Sequence, residues 1–287
     1  MKGESDMAIS DYVKKANELF ALPETALRVQ EILNDDQSSL ADVADVIAID
    51  PNLTSMLLKM ANSAFYNFPS KVDTASRAIN IMGSEAVFNL VLASSTVDCF
   101  RNVPEDVIDL NSFWRRSVDC ALICKELGVR INSRNQERFF VIGLLHNLGE
   151  LICASQTPEL AKECASPAEN LRPWELQRSK LGFTYARLSS ELMKSWRLPA
   201  EIYNTIGNQH TPENSAFPVE ARILCLSSRI AFYLSLQDDI DLGDQGYIDL
   251  ANQLNLTPDD IQGAIEFANI EAITVLSILN PTAGVIF

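Results

Sequence analysis

Histidine is nearly missing from this chain, which holds only His146 and His210 among 287 residues. A metal centre built from several imidazoles on separate helices cannot be assembled from two. Glycine is scarce as well, at 11 residues, and alternation of apolar with polar side chains is nearly absent, so an architecture built on sheets is excluded. The six cysteines, Cys99, Cys120, Cys124, Cys153, Cys164 and Cys225, include no Cys-x-x-Cys pair. Cys120 and Cys124 would share a helix face, yet in apolar, helix-like surroundings they read as buried reduced thiols rather than the start of a zinc site. There is no basic N-terminal segment followed by an apolar run, and no unbroken stretch approaches the ~18 uncharged apolar residues of a spanning helix. The expectation is therefore a cytosolic protein without a membrane partner. Positive charge is in deficit: Lys+Arg 23 against Asp+Glu 38 leaves a net charge of −15. Such a surface repels phosphate backbones, so nucleic acid is not expected as a partner.

Apolar residues recur at spacings of three and four along almost the whole chain, which predicts an all-α, multi-helix bundle. Most of the prolines, Pro51, Pro173 and Pro218 among them, stand where a periodic segment begins and a missing N–H costs little. The pattern predicts one continuous helix over 135–154 and long helices over 111–127, 217–236 and 258–279. A polar break with a proline, from Phe100 to Asp106, reads as a hinge between two helical subdomains, 1–102 and 103–287. The apolar end, Ala283 to Phe287, suits a docked tail or a homodimer contact. The acidic tracts at Asn34 to Asp36 and Gln237 to Asp241 read as solvated loops, without the regular oxygen spacing of a calcium loop.

Several short motifs fall in a fixed order. Leu22-Pro23 opens the series, followed by Ile49-Asp50-Pro51 and Ala61-Asn62-Ser63-Ala64, then by Ala78-Ile79-Asn80-Ile81-Met82-Gly83. The second half continues with Phe113-Trp114-Arg115-Arg116-Ser117, Gly143-Leu144-Leu145-His146-Asn147-Leu148-Gly149, Leu181-Gly182-Phe183, Trp196-Arg197-Leu198-Pro199 and Gln209-His210-Thr211-Pro212. Over about residues 20–215 the chain resembles the HDOD proteins, output domains of bacterial signalling related to the HD phosphohydrolases. The resemblance implies an HD-like helical scaffold and a non-catalytic role.

It also implies where an active relative would place its ligands, and nearly all of those positions are changed. Arg116 stands where a histidine precedes the serine, Asn147 replaces the aspartate after His146, and Tyr185 and Gln209 fall where further histidines are expected. Ser228 occupies a more loosely matched aspartate position, and only His146 and His210 remain. These seven residues define a vestigial pocket with no metal, no cofactor and no catalytic residue. A guanidinium repels cations, so Arg116 would itself supply positive charge there. It either pairs with a local acceptor such as Glu150 or reaches solvent.

His146 reads as a hydrogen-bonded core residue, and His210 as a cap or an exposed side chain near a helix end. Asn62 and Ser63 are either a partner-binding patch or a helix stop that satisfies loop backbone. Trp114, Trp174 and Trp196 read as core, and an exposed one would mark a partner surface. The expected function is a regulatory output module that binds a signalling protein or small ligand. The alternatives are a metal-dependent phosphohydrolase of nucleotides or cyclic nucleotides, and a module that binds nucleotide without cutting it through Arg116, Gln209 and Tyr185.

Overall fold

The computed structural model describes residues 7–35, 37–133, 136–165, 172–236 and 245–279, and among them there is no strand. The helices are α1 (Ile9–Leu19), α2 (Glu24–Leu33), α3 (Leu40–Ile49), α4 (Pro51–Ala61), α5 (Ala75–Met82) and α6 (Ser84–Cys99) in the first third of the chain. The remainder forms α7 (Leu110–Arg130), α8 (Gln136–Leu145), α9 (Leu148–Gln156), α10 (Pro158–Ala165), α11 (Pro173–Leu181), α12 (Tyr185–Ser195), α13 (Ala200–Gly207), α14 (Pro218–Ser235), α15 (Gln245–Gln253) and α16 (Pro258–Leu279). A 3₁₀ turn, Pro212–Asn214, lies between α13 and α14.

Local chemistry sets many of these boundaries. The Asp50 carboxylate accepts the Asn52 and Leu53 amides at 2.9 and 3.1 Å, and Pro51 at the first helical position has no N–H to satisfy. Thr184 caps α12 through the Arg187 amide at 3.1 Å. Gly182 ends α11 at φ 79°, in the left-handed region where a Cβ is penalised.

The core is organised around α7, which α8, α14 and α16 flank. Gly143 explains the closest approach: a Cβ there would lie 2.5 Å from Ala121 Cα, so only glycine lets α8 reach the α7 backbone. One apolar cluster runs from Tyr12 to Leu279 and crosses the expected hinge, where Phe100 and Val103 are buried and Phe100 stacks on Phe20 at 4.2 Å between ring centroids. Polar contacts cross as well. Tyr12 Oη lies 3.0 Å from Thr157 Oγ1, Lys125 donates to the Phe65 carbonyl at 3.0 Å, and Tyr66 donates to Glu137 at 2.9 Å. The two helical groups expected on either side of 102/103 thus share one apolar core.

The helix expected over 135–154 is instead two. It breaks at His146 and Asn147, where Asn147 leaves helical geometry at φ −122°, ψ 21° and its carbonyl accepts Glu150 N at 2.9 Å. Apolar spacing continues through the break, so periodicity alone could not reveal it. The expectation about membrane-length segments also needs correction. By length and mean hydropathy, Gln136–Gln156 and Pro258–Leu279 could each cross a membrane. In the fold, 78% of the apolar window in the first and 50% of that in the second is buried against the protein, because the same residues that raise hydropathy pack α7 and its neighbours. The tail from Ala283 to Phe287 and the tract from Gln237 to Asp241 lie outside the described residues.

Candidate functional site: a closed pocket and its rim

The break between α8 and α9 turns His146, Asn147 and Glu150 toward α7. Arg116 of α7 and the Asn147 side-chain amide both donate to the same Glu150 Oε2, with Arg116 and Glu150 each 19% exposed. Of the two arrangements open to Arg116, the fold adopts pairing. His146 is buried and its Nδ1 lies 2.7 Å from the Gly143 carbonyl, which can only accept, so Nδ1 carries the proton. Burial, with the Arg116 charge adding to it, pushes the imidazole down to about 4, and the ring is neutral at physiological pH.

Tyr185, at the start of α12, closes the opposite wall. Its hydroxyl is buried against Cys164 with the Glu150 carboxylate nearby, and burial first, then that charge, raises it well above the usual phenol value. Glycine again sets the spacing, since a Cβ on Gly149 would lie 2.2 Å from the Tyr185 carbonyl oxygen. Ser189 stitches the two helices by accepting Gly149 N at 2.8 Å and donating to Tyr185 O at 2.9 Å. Gln209 is buried, reaches the His146 carbonyl at 3.5 Å, and leaves its own Oε1 without a partner among the described residues.

His210 lies at the rim, where its ring stacks on Trp174 at 4.5 Å and 13°. Burial, reinforced by His146, Arg229 and Arg178, pushes it down to about 3. Trp174 corrects one expectation: Trp114 and Trp196 are core residues, but Trp174 is only half-buried, because Pro173 starts α11 at the surface and the ring packs on His210 instead of the interior. His210 is accordingly neither a cap nor fully exposed. Ser228 donates to Cys225 O within α14 at 3.3 Å, and no hydrogen bond ties it to the other six positions.

Asn62 and Ser63 belong to a different group of helices, at the end of α4. Asn62 donates to the Leu58 and Val72 carbonyls at 2.7 Å each and accepts Val72 N at 2.8 Å. Ser63 donates to Met60 O at 2.7 Å. Both side chains hold the loop that follows, and they edge a shallow depression of about 770 Å³ that Lys59, Phe68 and Lys71 also line.

The donor set can be tested against the divalent metals of an HD hydrolase. Among the described residues no group of three or more His, Cys, Asp or Glu could hold an ion. The carboxylate beside His146 is engaged by a guanidinium, which repels a cation rather than sharing a ligand with it. The residues present do not fit such a centre.

Sequence reasoning missed several residues of this site. Glu150 figured only as one acceptor open to Arg116, while Ser189, Trp174 and Arg229 were absent from the candidate set. The spacing from Asn147 to Glu150 could have signalled an N-terminal helix turn. Nothing local marks the others, which meet across helices.

An all-helical bundle whose inner pocket is closed by its own charges belongs to the HD-related class of folds. The HDOD domain family model matches residues 19–212, and the chain belongs to that family. An uncharacterized protein of Treponema pallidum (strain Nichols) is 27% identical over 192 residues, a match that covers 66% of this chain but only 37% of that relative's length. A crystal structure from Shewanella amazonensis SB2B, provisionally described as a phosphohydrolase, superposes with a TM-score of 0.73 at 24% identity and covers 97% of this chain and all of its own. A signal transduction protein of Marinobacter aquaeolei VT8, so described provisionally, superposes with a TM-score of 0.68 at 20% identity, covering 93% of this chain and 60% of its own. At these identities the likeness is one of fold.

Proposed function

We propose that the protein is a non-enzymatic, cytoplasmic output module of bacterial signalling that binds a protein partner or a small ligand. The convergence of Arg116 and Asn147 on Glu150 carries this reading, because it places a fixed positive charge where a hydrolase needs a cation with an open coordination position. Family membership and the signalling description of the Marinobacter protein support it. The phosphohydrolase description of the Shewanella protein supports the competing reading, which the donor set disfavours. A partner surface at Asn62 and Ser63 would use the depression beside them, since their own polar atoms serve the loop. A homodimer is one form that such a partner could take.

The test is turnover of bis-p-nitrophenyl phosphate and a nucleotide panel with added manganese, magnesium or nickel, for the wild type and for Arg116→His combined with Asn147→Asp. Neither protein is expected to turn over, because Tyr185, Gln209 and Ser228 still leave the coordination shell incomplete. Robust metal-dependent hydrolysis by the wild type would replace this proposal with the phosphohydrolase reading. The non-hydrolytic nucleotide-binding alternative, which called on Arg116, Gln209 and Tyr185, loses Arg116 to Glu150; the observation that favours an anion lies instead at the rim, among other arginines.

A further inference from the structure

In a chain of net charge −15, cationic side chains have no shortage of partners, and most of the described arginines pair with a carboxylate. The rim of the pocket departs from that pattern. The guanidinium carbons of Arg172 and Arg229 each lie 5.5 Å from the centroid of Trp174, the ring that stacks on His210. Arg178 stands one helical turn beyond Trp174 on α11, near enough for its charge to bear on His210. Among the described residues, no carboxylate oxygen comes within 4.0 Å of any of these three guanidiniums. Arg229 Nε is buried and has no hydrogen-bond acceptor.

Two carboxylates are close by. Glu175 accepts its own helix's Arg172 N at 2.9 Å, and Glu213 bears on Cys225 together with Arg229 and Arg172 without pairing with either. Positive charges gathered without a counter-charge repel one another, and a buried N–H without an acceptor costs free energy, so the cluster favours an anion that neither Glu175 nor Glu213 supplies. Guanidinium forks match phosphate oxygens two at a time, and the half-buried indole provides an apolar wall.

We propose that Arg172, Arg178 and Arg229, gathered around the Trp174–His210 stack, form a binding site for a phosphate-bearing small anion. This rests on the small-ligand form of the function proposed above and places the ligand at the rim rather than beside Arg116.

Of the chain's 3 tryptophans, Trp114 and Trp196 are buried, so Trp174 reports on the rim. The full chain is titrated at fixed ionic strength with pyrophosphate, AMP and GTP in turn, with readout by tryptophan fluorescence and by calorimetry. Saturable binding is expected. Trp174→Phe should remove the fluorescence change while the heat persists. Arg178→Gln, at an exposed position, should weaken binding about tenfold, and adding Arg229→Gln should weaken it about a hundredfold. Equal affinity for pyrophosphate and the nucleotides would identify phosphate alone as the recognised group, and tighter nucleotide binding would add the base; either supports the site. Absence of saturable binding with all three probes, or binding that Arg178→Gln and Arg229→Gln leave unchanged, would overturn it. Loss of this inference leaves the non-enzymatic reading standing, whereas metal-dependent turnover would remove that reading without altering a binding result.

Discussion

At the base of the pocket Arg116 and Asn147 converge on Glu150 while His146 is sealed inside, whereas at the rim Arg172 and Arg229 share Trp174 with His210 and no carboxylate among the described residues joins them. The two regions adjoin, since Gln209, next to His210 in the chain, reaches the His146 carbonyl at 3.5 Å. A guanidinium whose charge is matched internally stiffens the seam between α7 and α9 but has little left to offer a ligand. One without a counter-charge adds less to stability and keeps its donors for an incoming anion. Within one helical fold, the arginines thus differ in whether they meet a carboxylate, and the ligand site proposed above lies with those that do not.

The comparison breaks most severely if the inner wall is forced apart. Gly149→Ala places a Cβ 2.2 Å from the Tyr185 carbonyl oxygen, a backbone atom that cannot rotate away, and should cost about 3 kcal/mol in denaturant unfolding. A loss below about 1 kcal/mol would show that α9 and α12 separate easily and that the inner pocket is not closed. Next in size is the contrast between the two kinds of arginine. Arg116→Met leaves Glu150 largely buried with only Asn147 as partner and should cost about 2 kcal/mol, while exposed Arg178→Gln should stay within about 0.5 kcal/mol. Equal effects on stability would erase the distinction between base and rim.

Acid provides the most graded test. Both histidines have folded values depressed below the ordinary 6.5, so as pH falls the unfolded chain takes up protons before the folded one does. Their stabilising effect is complete above about pH 6.5 and is lost progressively toward about 4 for His146 and about 3 for His210. Within that window each fully sealed histidine should remove about 1.4 kcal/mol per pH unit. Between pH 7 and pH 4.5 both rings stay neutral in the fold, so the two histidines should contribute about equally there. Unfolding curves of His146→Gln and His210→Gln from pH 7 to pH 4.5 read this directly. A variant that keeps the full pH dependence of the wild type would show that the imidazole it replaces accepts a proton within the fold.

The helical class was legible because spacings of three and four are a local property of the chain, and caps such as Asp50 with Pro51 are local too. The family was equally legible, since its motifs are short and keep their order. Two of the readings that failed could not be corrected from apolar spacing. The break at His146 and Asn147 interrupts a helix without interrupting its apolar spacing, and Trp174 is an apolar residue whose burial depends on where α11 lies. Pairing of Arg116 with Glu150 was open from sequence, because the residues stand 34 positions apart and only the packing of α9 on its neighbours decides whether the guanidinium meets the carboxylate or water.

By itself, then, the sequence determined the helical class, the family and the poverty of metal-binding side chains, all of which follow from residue types and short spacings. Tertiary structure alone decided which arginine finds a carboxylate, which tryptophan stays half-exposed and which histidine is sealed. Those outcomes depend on distances between helices remote in sequence, and here glycines at 143 and 149 set two of those distances by leaving no room for a side chain.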